Sequence, residues 1–325
     1  MKKILALLLC ACIAMVSLTA CGNATSSSGK KKGNDKELTI GQTYTVKQFA
    51  EFTPLKITTT QKITPSMGGF LYYDTDSEYE TYVDLILQWT NLSENDVPVD
   101  QLIKAKAVTD KNKEYEESFT VAETNNGTDL DQYIEITPDT TVKLHCAITV
   151  PTDADELTLV LSIQNSEFTM HYTLGTTEST ATTLSVGDIV DASDSDNAAI
   201  TFLGVEYTDD LCPSDTSSIY SHYSVDDPAD TYLVVRFDIT SYRTSEQDCD
   251  SFVHVDACFA GKYTYNGFIV VEDEDGKGFS GYANISPLST RHFYYLFKVP
   301  KTVTANEVDL TIVFDEQEYI FTYQP

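Results

Sequence analysis

From residue 38 onward the apolar positions of the long runs alternate with polar ones. Val83, Leu85, Leu87 and Trp89 lie on one side of a run whose intervening positions belong to the other. A period of two marks strands with one buried face, and no stripe with a 3.6-residue period competes with it. Thr, Val, Ile, Tyr and Phe fill these runs, while Asn, Asp, Gly and Pro separate them, as expected of short strands and tight turns.

The pattern occurs twice. Leu233, Val235, Phe237 and Ile239 repeat the first run 150 residues later. Leu38-Thr39-Ile40-Gly41 returns as Leu184-Ser185-Val186-Gly187, and Ile136-Thr137-Pro138 as Ile285-Ser286-Pro287. Val150-Pro151 returns as Val299-Pro300. Leu157, Leu159, Leu161 and Ile163 match Val308, Leu310, Ile312 and Phe314; Phe168, Met170 and Tyr172 match Tyr319, Phe321 and Tyr323. So nearly constant an offset over so many strands predicts tandem copies of one domain. The fold class expected is all-β: two antiparallel Ig-like sandwiches with Greek-key connections, over 37–175 and 184–325. Residues 176–183, rich in Thr, read as a linker between them.

The first residues read as a processing signal. Lys2 and Lys3 precede an apolar run over 4–16, shorter than the roughly 20 residues a bilayer span needs. Leu18-Thr19-Ala20-Cys21-Gly22 resembles the lipobox of bacterial lipoproteins. That resemblance implies cleavage after residue 20, a lipid on the Cys21 sulfur, and a cell-membrane location on the extracytoplasmic face. Two acyl chains anchor stably where one holds weakly. Residues 21–36 then form the anchor and a flexible tether, being rich in Ser, Lys, Gly and Asn. Lys30-Lys31-Lys32 and Lys36 could rest on anionic headgroups.

A second resemblance is carried by Tyr82-Val83-Asp84-Leu85-Ile86-Leu87-Gln88-Trp89-Thr90-Asn91, an alternating strand ending in Thr-Asn. It is joined by the turns around Asp110-Lys111-Asn112 and Asp273-Glu274-Asp275-Gly276, and by the late Val-Pro segments. Together they are similar to an uncharacterised Ig-like family of bacterial lipoproteins related to the immunoprotective extracellular, MPT63-like sandwich. The second copy departs where Thr240-Ser241 replaces Thr-Asn. The resemblance implies a fold and a location, and brings no catalytic residues.

Charge narrows the partners. The chain has 21 Lys+Arg against 50 Asp+Glu, a net charge of −29, and loss of Lys2 and Lys3 would make it more negative still. Such a field repels nucleic acid. The membrane enters as a partner through the lipid on Cys21, and any further ligand is read as protein or glycan. Of seven cysteines, Cys146, Cys212, Cys249 and Cys258 remain after processing and lipidation, and four thiols allow three pairings that spacing does not distinguish. Cys146 aligns with Tyr295 on the apolar side of its strand, which reads as a buried thiol.

Candidate chemistry concentrates in the long segments ahead of each alternating strand. The first offers Tyr72, Tyr73, Asp74 and Tyr79, the second Tyr220, His222, Tyr223 and Asp226. Long loops in compact domains are often functional, and Tyr with Asp suits adaptable recognition; the plain alternative is that they cover the sheet. Of two acidic clusters, the one at 191–196 has Asp196 and Phe202 where a calcium loop needs glycine and glutamate, and the one at 273–276 has Gly278 but Asn284 at those places, so neither is a calcium loop. His254, Asp256 and Cys258 share one face of a strand, which supplies too few convergent ligands for a metal. No metal site or cofactor is therefore expected. No G-x-S-x-G, H-E-x-x-H or C-x-x-C is present. The expected function is a cell-surface, non-catalytic binding or adhesion-type module acting through the Tyr/Asp-rich loops. The alternatives are an accessory subunit of an envelope complex and, behind it, a hydrolase whose turnover would depend on His222 or His254.

Overall fold

A computed structural model describes residues 36–325 except Phe70, Asp110, 193–196, Lys262 and Glu316. Cys21, the signal over 1–20 and the tether through residue 35 lie outside the described residues, as do Asp194 and Asp196 of one acidic cluster.

Each copy is built on seven long strands. The first has β1 (Ala50–Thr60), β2 (Glu80–Asn91), β3 (Lys104–Thr109), β4 (Ser118–Thr124), β5 (Thr141–Pro151), β6 (Glu156–Ile163) and β7 (Ser166–Thr173). The second has β8 (Ala198–Thr208), β9 (Asp230–Ser241), β10 (Val253–Phe259), β11 (Gly267–Glu272), β12 (Thr290–Pro300), β13 (Val308–Phe314) and β14 (Gln317–Tyr323). In the first copy β4-β5-β2-β1 form one sheet and β3-β6-β7 the other; β11-β12-β9-β8 and β10-β13-β14 repeat this. Lettered in chain order, the sheets are D-E-B-A and C-F-G, the arrangement of a constant-type immunoglobulin sandwich. The two sandwiches together make one compact unit.

The alternation in the sequence places the cores. Trp89, Leu87, Leu85 and Val83 of β2 stand opposite Val142, Leu144, Cys146 and Ile148 of β5, and most of these side chains are fully buried. In the second copy Val235 stands opposite Tyr295 as Leu85 does opposite Cys146. Cys146 is buried as the alternation requires, and burial first, with Asp84 nearby, pushes its thiol up to about 12. Trp89 stacks on Phe52 and meets Phe49 edge-on, an arrangement worth about 0.5–1.5 kcal/mol per pair beyond burial. The second core substitutes a cluster of phenylalanines, among them Phe202, Phe237, Phe293 and Phe314.

Even the irregularities repeat. The pairing of β1 with β2 slips at Leu55, between Pro54 and Lys56, and that of β8 with β9 slips at Leu203, between Phe202 and Gly204. Such bulges bend a strand and raise its twist. Gly41 and Gly187 both turn with positive φ and donate their N–H to the carbonyls of Pro54 and Phe202.

The segment over 176–183 is not free chain, which corrects its reading as a linker. Thr177–Ser179 adds to the edge of the first sandwich by pairing with β1, and Thr182–Thr183 runs parallel to β14 at the edge of the second. Lys36–Glu37 runs parallel to β7 in the same way, so Lys36 belongs to the first sandwich rather than to the tether. Among the described residues no helix is long and apolar enough to cross a membrane.

Candidate functional site

The two long segments singled out in the sequence fold back as hairpins over the outer face of each four-stranded sheet. Thr60 and Thr208 initiate them alike, each hydroxyl accepting from the N–H and donating to the carbonyl two residues on. Lys62–Ile63 then pairs with Tyr73–Asp74, and Asp210–Leu211 with Tyr223–Ser224. The inward side of each ribbon is apolar. Ile63 and Tyr73 pack on Tyr82, Phe119, Val121 and Leu130, and Leu211 and Tyr223 pack on Tyr232, Val234, Tyr294 and Leu296.

Of the tyrosines predicted to meet a ligand, Tyr73 is therefore held against the sheet, its ring 5.0 Å from that of Phe119. Tyr223 packs between Phe268 and Phe279. Tyr72, Tyr79 and Tyr220 remain outward at 49%, 72% and 38% exposure. Asp74 and Asp226 are exposed. His222 contacts Asp210 on the outward side of its ribbon. The structure thus brings Tyr220 and His222 together, ring centroids 5.6 Å apart, with partners the sequence reading did not include.

Beyond each ribbon, a Pro-Ser pair is fastened to a glutamate on the outer face of the sheet. Ser66 donates from its N–H and its hydroxyl to the Glu123 carboxylate at 3.1 and 2.6 Å. Ser214 donates its N–H to Glu272 at 2.7 Å. The second glutamate partner differs: Tyr294 Oη donates to Glu272, whereas in the first copy His145 lies between Asp84 and Glu123 at 2.8 and 3.0 Å. Burial would strip His145 of its proton, but the two carboxylates outweigh it and push its pKa up to about 10. Burial likewise opposes ionisation of Glu123, yet His145, Lys143 and Ser66 hold its pKa below the usual range. With both ring nitrogens protonated and donating, His145 has no basic nitrogen to offer a reaction. It is a clamp.

The clamp aims the first copy's loop tip at the second copy. Met67 N–H bonds the Gly127 carbonyl, and Gly68 turns with φ of 71° against the ring of His254, where a Cβ would come within 2.7 Å of Cε1. A Cβ on Gly69 would strike the Thr128 carbonyl oxygen at 2.1 Å. Only glycine fits at either position. Between the sandwiches lies an open cleft of about 1560 Å³. Its first-copy wall is this tip with Asn125, Asn126 and Asp129; its second-copy wall carries Phe268, Tyr282, Tyr223, Tyr295, Asp248 and Asp250. His254 contacts Tyr295 Oη at 3.2 Å and Asp256 at 3.3 Å. Arg243 lies over Phe252 and is braced by Asn197 and Ser251. The predicted strand face of His254, Asp256 and Cys258 forms no ligand cluster.

Sequence reasoning missed the cleft because its two walls come from residues of different copies, far apart in the chain. The glycine pair at 68–69, with no role in a strand, was the signal available for it.

Comparison with known proteins finds no matching family model and no matching curated protein. Among solved structures, an uncharacterized β-sandwich protein of Clostridium difficile 630 is 24% identical, matched over 45% of this chain and 97% of its own, with a TM-score of 0.41. A marsupial T cell receptor chain is 7% identical over 83% of this chain and 99% of its own, with a TM-score of 0.24. Sheet order and register, rather than these likenesses, establish the immunoglobulin-like sandwich here.

Proposed function

We propose that this protein is a non-catalytic binding module, held to the outer face of a cell membrane by lipid on Cys21, that takes an extended ligand segment between its two sandwiches. The observation that carries the proposal is the cleft built jointly by the first copy's clamped loop tip and the second copy's sheet. Its volume exceeds the roughly 300–1,000 Å³ of small-molecule sites, which suits a length of peptide or glycan. Tyr282 and Phe268 offer exposed aromatic surface, the low-entropy contact area that binding sites favour. Asp129, Asp248 and Asp250 select neutral or basic ligands over acidic ones. The lipid anchor rests on the lipobox-like residues 18–22, and membership of the MPT63-like lipoprotein family on the strand and turn motifs given above.

Two measurements test it. Peptide and glycan arrays probed with the purified protein should yield a ligand whose affinity falls at least about tenfold in Tyr282→Ala with Asp248→Asn, while Tyr72→Ala with Tyr79→Ala leaves it unchanged. The reverse pattern would move recognition to the exposed loop tyrosines, and equal binding by both variants would overturn the site. Cys21→Ala should shift the protein from the membrane fraction to the soluble one; retention in the membrane would overturn the anchor.

A further inference from the structure

The outward face of the second ribbon holds a set of groups that neither the strands nor the cleft uses. Asp210 opens the Asp210–Leu211 strand and Cys212 follows it, two positions on, where an extended chain puts side chains on one face. The pairing of Asp210 with Ser224 and Leu211 with Tyr223, continued by one residue, sets His222 across from Cys212. A carboxylate oxygen, the thiol sulfur and an imidazole nitrogen consequently lie within 4.8 Å of one another. The backbone that carries them is pinned from beneath, since Leu211 and Tyr223 on the opposite face are packed on the sheet. Thr208 fixes both backbone polar groups of Asp210.

The first copy shows what this face accommodates. At the positions of Asp210 and His222 it has Lys62 and Tyr72, and the Lys62 ammonium sits 3.7 Å from the centre of the Tyr72 ring. There the chain supplies its own cation to the ribbon. In the second copy the lysine is gone, and three groups able to bind a cation converge in its place. We propose that Asp210, Cys212 and His222 bind one divalent transition-metal ion of the zinc class.

The donor set selects the metal. Thiolate and imidazole are ligands of zinc and its neighbours, whereas calcium and magnesium take oxygen alone. Bonds of about 2.0–2.3 Å to a tetrahedral ion require donor atoms about 3.3–3.8 Å apart, within reach of small rotations of exposed side chains. Three protein ligands leave a fourth position to water. A bound cation favours the thiolate and releases the thiol proton. The ion would close the ribbon whose inner residue Tyr223 also lines the cleft, but the site stands or falls independently of any cleft ligand.

Cobalt(II) serves as the probe. Titration of the reduced, purified protein should saturate at one equivalent with a thiolate-to-metal charge-transfer band, and zinc should displace it. Cys212→Ser should abolish the band. Asp210→Asn and His222→Gln should each weaken binding by at least about tenfold. All three substitutions are at exposed positions, so unchanged thermal melting without metal verifies that each variant is folded. His171→Gln, at an exposed position on β7 of the first sandwich, should bind as the parent does. Absence of the band in the parent, or its survival in Cys212→Ser, would overturn the proposal.

Discussion

His145 is a buried cation held by two carboxylates, and its consequences are those of linkage. Its folded pKa of about 10 lies above the roughly 6.5 of an unfolded histidine. The stability it contributes is therefore complete below about 6.5 and is lost as pH rises through 10. Glu123 runs the other way: its pKa is depressed, so its contribution is present above the usual glutamate value and disappears in acid. We expect denaturant melts of the parent to weaken steadily from pH 7 to 10, and His145→Gln to abolish that slope. The same variant removes the cation between Asp84 and Glu123 and leaves Glu123 with Lys143 alone, which should lower stability at pH 7 by about 3 kcal/mol or more. A flat alkaline profile in the parent would contradict the charge assigned to His145. Leu288 is the converse case, an exposed leucine with φ of 58° where the first copy has Asp139 at the equivalent turn. Leu288→Asn should raise stability by about 0.5–1 kcal/mol, read as a higher denaturation midpoint.

The lead-in hairpins separate tyrosines that composition alone treats as equals. Tyr73 and Tyr223 fasten the ribbons to the sheets, and each Tyr→Ala change there should cost about 2–4 kcal/mol. Tyr72→Ala or Tyr79→Ala should stay within about 0.5 kcal/mol. Urea melts of the four variants decide it; equal losses would mean the ribbons do not pack as described. The difference also marks how far the sequence was legible. Long strands declared themselves because a half-buried strand writes its burial into every second residue, and the repeat then divided them into two like sets; their order in the sheets came from the structure. Ribbons of two-residue strands have no such period. Whether Tyr73 faces in and Tyr72 out is set by a register that only the sheet beneath imposes. The grouping of His222 with Asp210 and Cys212 escaped for the same reason, their proximity depending on a turn across ten residues, and 176–183 looked like a linker because its Thr and Ser residues fit an edge strand equally well.

At the scale of the whole molecule, specific contacts join the two sandwiches. Lys56 of β1 reaches Glu318 of β14 at 2.8 Å. Being partly exposed, this pair should be worth no more than about 1 kcal/mol, and less in high salt. The glycine tip against His254 is the more exacting contact. Gly68→Val should force the tip away, leave each sandwich folded, and change the small-angle scattering profile together with the susceptibility of residues near 68 to protease. An unchanged profile would show that the tip does not set the arrangement. The parallel pairing of each sandwich's leading segment with its last strand has a mechanical meaning. If the protein is held by its N-terminus and loaded at its far end, Lys36–Glu37 and β7 are drawn in opposite directions along their shared axis, as are Thr182–Thr183 and β14. The joint then bears load in shear, all its hydrogen bonds strained together, rather than unzipping one bond at a time. Stretched between its ends, the molecule should resist with two discrete rupture events; smooth low-force extension would contradict that geometry. Each sandwich would yield abruptly, the way a lap joint fails and a peeled strip does not.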